Sequence, residues 1–263
     1  MTVPSQFDLA GKRVLLVGAT GVLGRAYAEA LAKTGAHLAI ADLASSDVKA
    51  LADEIGATGV EMDVADEASV RQGVRAAADA LGGLDGAVSN AAATGEFLTK
   101  EGDAFAPFED YPLAAWQLTL DVNLTGSFLV AREAGRAMRE SGGGSLVLVS
   151  SIYGIVGPDH RIYEGQPFKS FPGYSASKAG VIGLARWLAT WWGDAGIRVN
   201  CLTPGGTFND HADDFAEAYG NRTPMGRMAR REELIGMVVF LLSDASSYCT
   251  GQNYIVDGGF SSW

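Results

Sequence analysis

Basic residues are scarce in this sequence: 20 lysines and arginines stand against 31 aspartates and glutamates, a formal net charge of −11. So acidic a chain repels nucleic acid and anionic membrane unless its cations are gathered in a patch. No Lys/Arg cluster is present, so neither partner is expected. Long apolar runs are also lacking. The longest, Leu234 to Leu242, spans nine residues, where a transmembrane helix needs about 20. Met1 to Asp8 has no basic segment followed by an apolar one, so no secretory signal is expected. Cysteine is nearly absent. Cys201 and Cys249 cannot make a disulfide framework and read as small buried hydrophobes. No His, Cys and carboxylate spacing asks for a metal. These shortages together predict a cytoplasmic protein with no metal site.

Apolar residues are plentiful, 48% against 19% charged, enough for a large core and too many for a disordered chain. Strand-like runs at Arg13 to Gly18, His37 to Ala41, Gly86 to Ser89, Ser145 to Ser150, Ile197 to Leu202 and Asn253 to Val256 alternate with helical periodicity. The helical patterns include Arg25 to Thr34, Ser69 to Leu81 and Ser175 to Trp192. This alternation predicts an α/β fold, a doubly wound, Rossmann-like parallel sheet. No linker or repeat divides the chain, so residues 1–263 read as one domain. Ligands of such sheets bind at the carboxyl ends of the strands, so the residues there are the candidates for function.

The first strand runs into Gly18-Ala19-Thr20-Gly21-Val22-Leu23-Gly24, and a helix follows at once. A glycine-rich turn lets backbone approach a pyrophosphate, which then sits on the helix's positive end. By itself the pattern is also that of a tight turn. The second strand ends at Ala41-Asp42, Asp42 standing 18 residues past Gly24. An acidic residue there accepts hydrogen bonds from ribose hydroxyls and repels a 2′-phosphate, so NAD is favoured over NADP.

Tyr174-Ser175-Ala176-Ser177-Lys178 opens a long helical pattern and sets a phenol and an ammonium on one helix face. Bringing a phenol from its ordinary pKa near 10 down to neutrality takes ~4 kcal/mol of differential stabilisation. Lys178 together with a positively charged nicotinamide is expected to supply it, leaving Tyr174 to exchange a proton as hydride moves. Alone, a Tyr-x-x-x-Lys pair is equally an ordinary surface pair. The strand from Ser145 ends in Ser150-Ser151, where a hydroxyl can meet a substrate oxygen or simply build a turn. Asn123 falls inside a helical pattern, where a weak helix former suggests a local distortion or a bound water.

With these residues in place, the chain resembles the short-chain dehydrogenase/reductase family from about Gly11 to its end. The matching set is Asn123, Ser151, Tyr174 and Lys178. The resemblance implies that Tyr174 is the acid/base, that Lys178 also holds the nicotinamide ribose, that Ser151 orients the substrate oxygen and that Asn123 anchors a relay water. It further implies cofactor contacts at Gly18, Thr20, Gly21, Val22, Leu23, Gly24, Asp42 and Leu43. More follow at Asp63-Val64 after the third strand, at Asn90-Ala91-Ala92 after the fourth, and at Pro204, Gly205 and Thr207 beside the nicotinamide. Three departures stand out. The glycines read Gly-x-x-Gly-x-x-Gly after Val17, a spacing typical of a longer, nucleotide-sugar-modifying subtype. Ala92 replaces a glycine. Ser151 and Tyr174 lie 23 residues apart, more than the family's usual gap.

Substrate loops are expected around 95–111, 154–173 and 205–225. In the second, His160, Arg161, Tyr163 and Glu164 suit hydroxyl or carboxylate recognition, with Arg161 either a carboxylate clamp or a surface residue. Phe208 to Arg222 reads as a lid. Phe97, Phe105 and Phe108 read as local packing. The 151–165 run and the Val256–Phe260 ending resemble bacterial dehydrogenases of flagellin or surface-glycan modification, which points to a sugar-like or acidic polyhydroxylated alcohol or ketone. Trp187, Trp191 and Trp192 read as core or interface packing, and the resemblance implies a homotetramer or dimer. The expected function is hydride transfer between NAD(H) and a secondary alcohol or ketone. Two rival readings are an NAD-using epimerase, suggested by the glycine spacing, and a non-catalytic dinucleotide sensor, for which an acid/base pair has no use.

Overall fold

Side chains in β1 (Arg13–Val17) point alternately to opposite sides of the sheet, as a two-residue period requires, and both sides are apolar. Leu15 and Val17 enter one buried cluster, Val14 and Leu16 another. A strand buried on both faces belongs in a parallel sheet covered by helices, and that is the architecture of the computed structural model, which describes residues 5–95 and 105–263. β1 is joined by β2 (His37–Asp42), β3 (Thr58–Glu61), β4 (Gly86–Ser89), β5 (Gly144–Val149), β6 (Ile197–Pro204) and β7 (Asn253–Val256). All neighbours pair in parallel, in the order β3-β2-β1-β4-β5-β6-β7. The order reverses between β1 and β4, where such a sheet opens a crevice at its carboxyl edge.

Helices α1 (Val22–Ala32), α2 (Val48–Ile55) and α8 (Ile235–Leu242) cover one face. Helices α3 (Glu67–Leu81), α5 (Gly126–Glu140) and α6 (Pro172–Trp191) cover the other. α4 (Leu113–Leu120) leads into α5 and α7 (Asp213–Asn221) lies near the carboxyl edge. α3 begins under Asp66, whose side chain caps the amides of Ala68 and Ser69, an arrangement worth about 1 kcal/mol. Among the described residues no helix is long and apolar enough to cross a membrane.

The sequence patterns and the elements differ in one instructive place and agree in another. β3 carries too little apolar signal to stand out, because it is a four-residue edge strand with only Val60 buried. The Asn123 region is distorted as expected: Asp121–Thr125 forms a π-helical turn between α4 and α5.

Candidate active site

The turn after β1 needs its glycines for separate reasons. Gly18 has φ +80°, a region only glycine enters freely, and a side chain there would collide with the backbone of Ala91. Gly24 packs so close that a side chain would run into the Gly18 carbonyl and Ala19, which fixes the helix against the turn. Around Gly21 there is open space. Gly21 caps α1 with no side-chain hydrogen bond, so the first helical N–H groups face the cavity unshielded. Asn90 holds this turn from the neighbouring strand, its amide donating to Val17 (2.9 Å) and its Nδ2 to Gly18 (2.8 Å). At the end of β2, Asp42 Oδ2 accepts from the amide (2.8 Å) and hydroxyl (2.7 Å) of Thr20, and Oδ1 accepts from Leu43 (2.8 Å). Thr20, expected at the cofactor, thus spends its hydroxyl on fixing the carboxylate.

The other half of the site hangs on β5 and α6. Gly154 lies against the backbone of Lys178, where an added Cβ would come within 2.8 Å of its carbonyl carbon. Ser150 Oγ donates to the Lys178 carbonyl (2.8 Å) and Lys178 Nζ donates to the Val149 carbonyl (2.9 Å). Turn and helix are thereby locked, which brings the Ser151 hydroxyl into hydrogen bonding with Tyr174. The Lys178 ammonium stands 5.7 Å from the centre of the Tyr174 ring. Burial pushes the Tyr174 phenol up, and the Ser151 hydrogen bond opposes this only in part. Burial also lowers Lys178 to about 8, against the pull of the neighbouring Cys201 thiol. The lowered phenol pKa expected of a Tyr-Lys pair is therefore not a property of the protein alone. Desolvation outweighs the cation here.

Asn123 is fully buried and both ends of its side chain are used. Oδ1 accepts from the Ala93 amide (2.7 Å) and Nδ2 donates to Ser177 Oγ (3.1 Å). Its carbonyl accepts from Ser127 Oγ (2.7 Å). It ties the segment after β4 to α6 rather than pointing into the cavity.

One cavity of about 650 Å³ joins the two halves. Gly18, Thr20, Gly21, Val22, Leu23, Asp42, Leu43, Asp63, Val64, Asn90, Ala91, Ala92, Pro204, Gly205 and Thr207 line it, with Ser151, Tyr174 and Lys178. Of the residues singled out from the sequence, Gly24 and Asn123 lie behind the wall. The loops behave less uniformly. Tyr163 enters the cavity, but His160, Arg161 and Glu164 do not. Arg161 is no substrate clamp: its Nε and terminal nitrogen grip Asp159 at 2.8 and 2.7 Å, and that carboxyl is held down to about 2, chiefly by this arginine. A carboxylate two residues away reaches the guanidinium before any ligand can. The segment from Phe208 to Arg222 does reach the cavity. His211 and, on α7, Phe215 and Tyr219 line the cavity. This segment is fastened to the 154–173 loop by Gln166 to Asp214 (3.0 Å) and Arg222 to Asp159 (3.0 Å). Phe105 packs beside Phe171 and Tyr174, Phe108 is exposed, and Phe97 lies outside the described residues.

Tyr153, Phe168, Ser170, Phe171 and Met228 also line the cavity and were not singled out from the sequence, although Phe168, Ser170 and Phe171 lie in the expected 154–173 loop. Beyond that loop's length the signal was the density of aromatics between 153 and 219, which cannot be told from core packing without the fold.

Comparison with known proteins extends this picture. The family model described as enoyl-(acyl carrier protein) reductase matches residues 18–261. A D-threitol dehydrogenase from Mycolicibacterium smegmatis is 33% identical over 271 residues, covering 99% of this chain and 97% of the relative. Among solved structures, a short-chain type dehydrogenase/reductase from Mycobacterium marinum aligns at TM-score 0.84 with 33% identity over 99% of both chains. A short chain dehydrogenase from Leptospira borgpetersenii with bound NAD+ aligns at TM-score 0.84 with 29% identity, over 99% of this chain and 97% of that one.

Proposed function

Because the chain belongs to the short-chain dehydrogenase/reductase family, we propose that it is an NAD(H)-dependent oxidoreductase of a secondary alcohol or the corresponding ketone. The observation that carries the proposal is the meeting of Ser151, Tyr174 and Lys178 with the Gly18–Gly24 turn and Asp42 on one cavity.

The residues present suit a nicotinamide dinucleotide. Open space at Gly21 and uncapped α1 amides fit a pyrophosphate. The oriented Asp42 carboxylate fits an unphosphorylated ribose and disfavours a 2′-phosphate. Thr207 Oγ1 is buried on the cavity wall with no protein partner, a polar atom that a ligand amide would satisfy. Val64, Asn90 and Pro204 to Gly205 complete the cradle. When bound, the dinucleotide supplies or accepts the hydride.

The chain supplies the proton. Kept neutral by burial, Tyr174 donates its phenolic proton to a carbonyl oxygen being reduced and takes one back in the oxidative direction. Ser151 hydrogen-bonds the same oxygen and orients it. Lys178, anchored on Val149, stabilises negative charge on the phenol oxygen. Asn123 acts from behind, as a positioning residue. Tyr163, the 166–171 segment and α7 form the substrate wall. The D-threitol relative agrees with a polyhydroxylated substrate; an acidic one has lost its proposed clamp. The exposed, stacked Trp187 and Trp191 on α6 support self-association.

The test is to titrate the purified protein with NADH and NADPH, then assay NAD reduction with linear polyols, alicyclic alcohols and hydroxy acids. Tighter NADH binding by about tenfold or more and alcohol-dependent NADH formation are expected. Binding without net turnover of any compound favours an epimerase or a sensor, and no binding removes the proposal.

A further inference from the structure

The part of the cavity above Tyr174 has a wall with a chemistry of its own. Tyr163, Phe168 and Phe215 pack ring against ring with centroids 5.1 to 5.9 Å apart, and His211 stacks on Phe215 at 5.1 Å. Set into this aromatic wall, the hydroxyls of Tyr153 and Tyr163 touch at 2.7 Å. Both tyrosines line the cavity and both feel the charge state of Tyr174. Ser170 lines it too, its hydroxyl buried and without a protein partner.

The donor and acceptor count decides what this wall can read. Each phenol has one proton and lone pairs. Their mutual bond consumes one proton, leaving one donor and several acceptor positions. That set matches a hydroxyl, which both gives and accepts a hydrogen bond, better than a carboxylate, which only accepts. Burial keeps both phenols neutral, Tyr163 being pushed up to about 12. Among the described residues, no arginine lines the cavity, and its acidic residues, Asp42 and Asp63, sit at the dinucleotide end. Lys178 is committed to Tyr174 and Val149, and Lys169 is exposed. Apart from His211, stacked on Phe215, a charged group entering this wall would meet no buried cation among the described residues except the committed Lys178, which is costly.

We infer that the Tyr153–Tyr163 hydroxyl pair is the specificity-determining element of the substrate pocket and selects a neutral substrate carrying a second hydroxyl beyond the one that reacts. This rests on the oxidoreductase reading above. The carbon skeleton lies against the aromatic rings, the reacting oxygen meets Tyr174 and Ser151, and the second hydroxyl meets the tyrosine pair, with Ser170 as a further partner.

A panel on one ring separates these contributions: cyclohexanol, the 1,2-, 1,3- and 1,4-cyclohexanediols, and 4-hydroxycyclohexanecarboxylate, each assayed for NAD reduction. At least one diol is expected to exceed both cyclohexanol and the carboxylate in kcat/KM. Tyr163→Phe and Tyr153→Phe are each expected to lower the diol-to-cyclohexanol ratio about 3- to 10-fold. The ratio is the readout because a loop merely loosened by the substitution slows both substrates alike. Equal wild-type turnover of diols and cyclohexanol overturns the inference and leaves the oxidoreductase reading intact. So does preference for the carboxylate, or a ratio unchanged in both variants. Oxidation of none of these compounds by protein that binds dinucleotide also overturns it, the wider panel above then deciding the oxidoreductase reading.

Discussion

Tyr174 and Lys178 lie on one helix face, yet burial moves both away from their charged forms. Each outcome is measurable. Tyr174→Phe removes only the transferable proton, so turnover should fall about 10²- to 10⁴-fold while NADH affinity stays; substantial residual turnover would assign the acid/base elsewhere. Lys178 titrates at about 8 in the fold against 10.5 as its ordinary value. A native pKa below the unfolded one means that the unfolded chain binds more protons between those limits. Lys178 therefore lowers stability most below about pH 8, and the loss fades as pH rises to 10.5. The penalty is on the order of 3 kcal/mol. Denaturation of wild type and Lys178→Met across this range should show the wild-type deficit shrinking with pH. A constant difference would place the buried amine in better solvation than its surroundings suggest. At the other end of the cavity, Asp42→Ala should cut the preference for NADH over NADPH by roughly 10- to 100-fold, read from the two dissociation constants.

At the scale of elements, the residues that hold the site together are mostly invisible as chemistry. Gly154 is an example: nothing in the sequence marks it, yet it lets the turn bearing Ser151 touch the helix bearing Lys178. Gly154→Ala should cost about 1–3 kcal/mol from overpacking and lower kcat more than dinucleotide affinity; a normal kcat would show that the turn yields without moving Ser151. Short motifs with fixed geometry were readable because their chemistry dictates residue types. The glycine turn, Asp42 and the Tyr174–Lys178 pair fall where the strand–helix pattern puts them, and the π-turn at Asp121–Thr125 was foreshadowed by Asn123 in mid-helix. β3 was not readable, since a short edge strand buries too little to show a period. Nor was the fate of Arg161, where a local carboxylate competes with any ligand and only coordinates reveal the winner. The proposed substrate wall was the least legible, because aromatic residues from two separate segments, one after β5 and one after β6, meet only after the sheet has formed.

At the scale of the molecule, the parallel sheet gathers the ends of β1, β2, β4, β5 and β6 along one edge, so residues from Gly18 to Thr207 share a cavity. The opposite arrangement holds on the outer surface of α6. There Trp187 and Trp191 are 58% and 61% exposed while their neighbour Trp192 is buried in the core. Large exposed aromatics grouped on one helix mark an association surface, and sedimentation should find a dimer or tetramer that Trp187→Lys with Trp191→Lys dissociates; assembly unaffected by the pair would move the interface to another face. The two rings are stacked and nearly parallel, 16° apart with centroids at 5.3 Å. Indoles so placed share their excited states, which gives the protein a built-in optical reporter. Its far-ultraviolet circular dichroism should carry a paired band of opposite signs that either single Trp→Phe substitution abolishes, and its emission should shift to the blue if a second copy shuts water away from the rings.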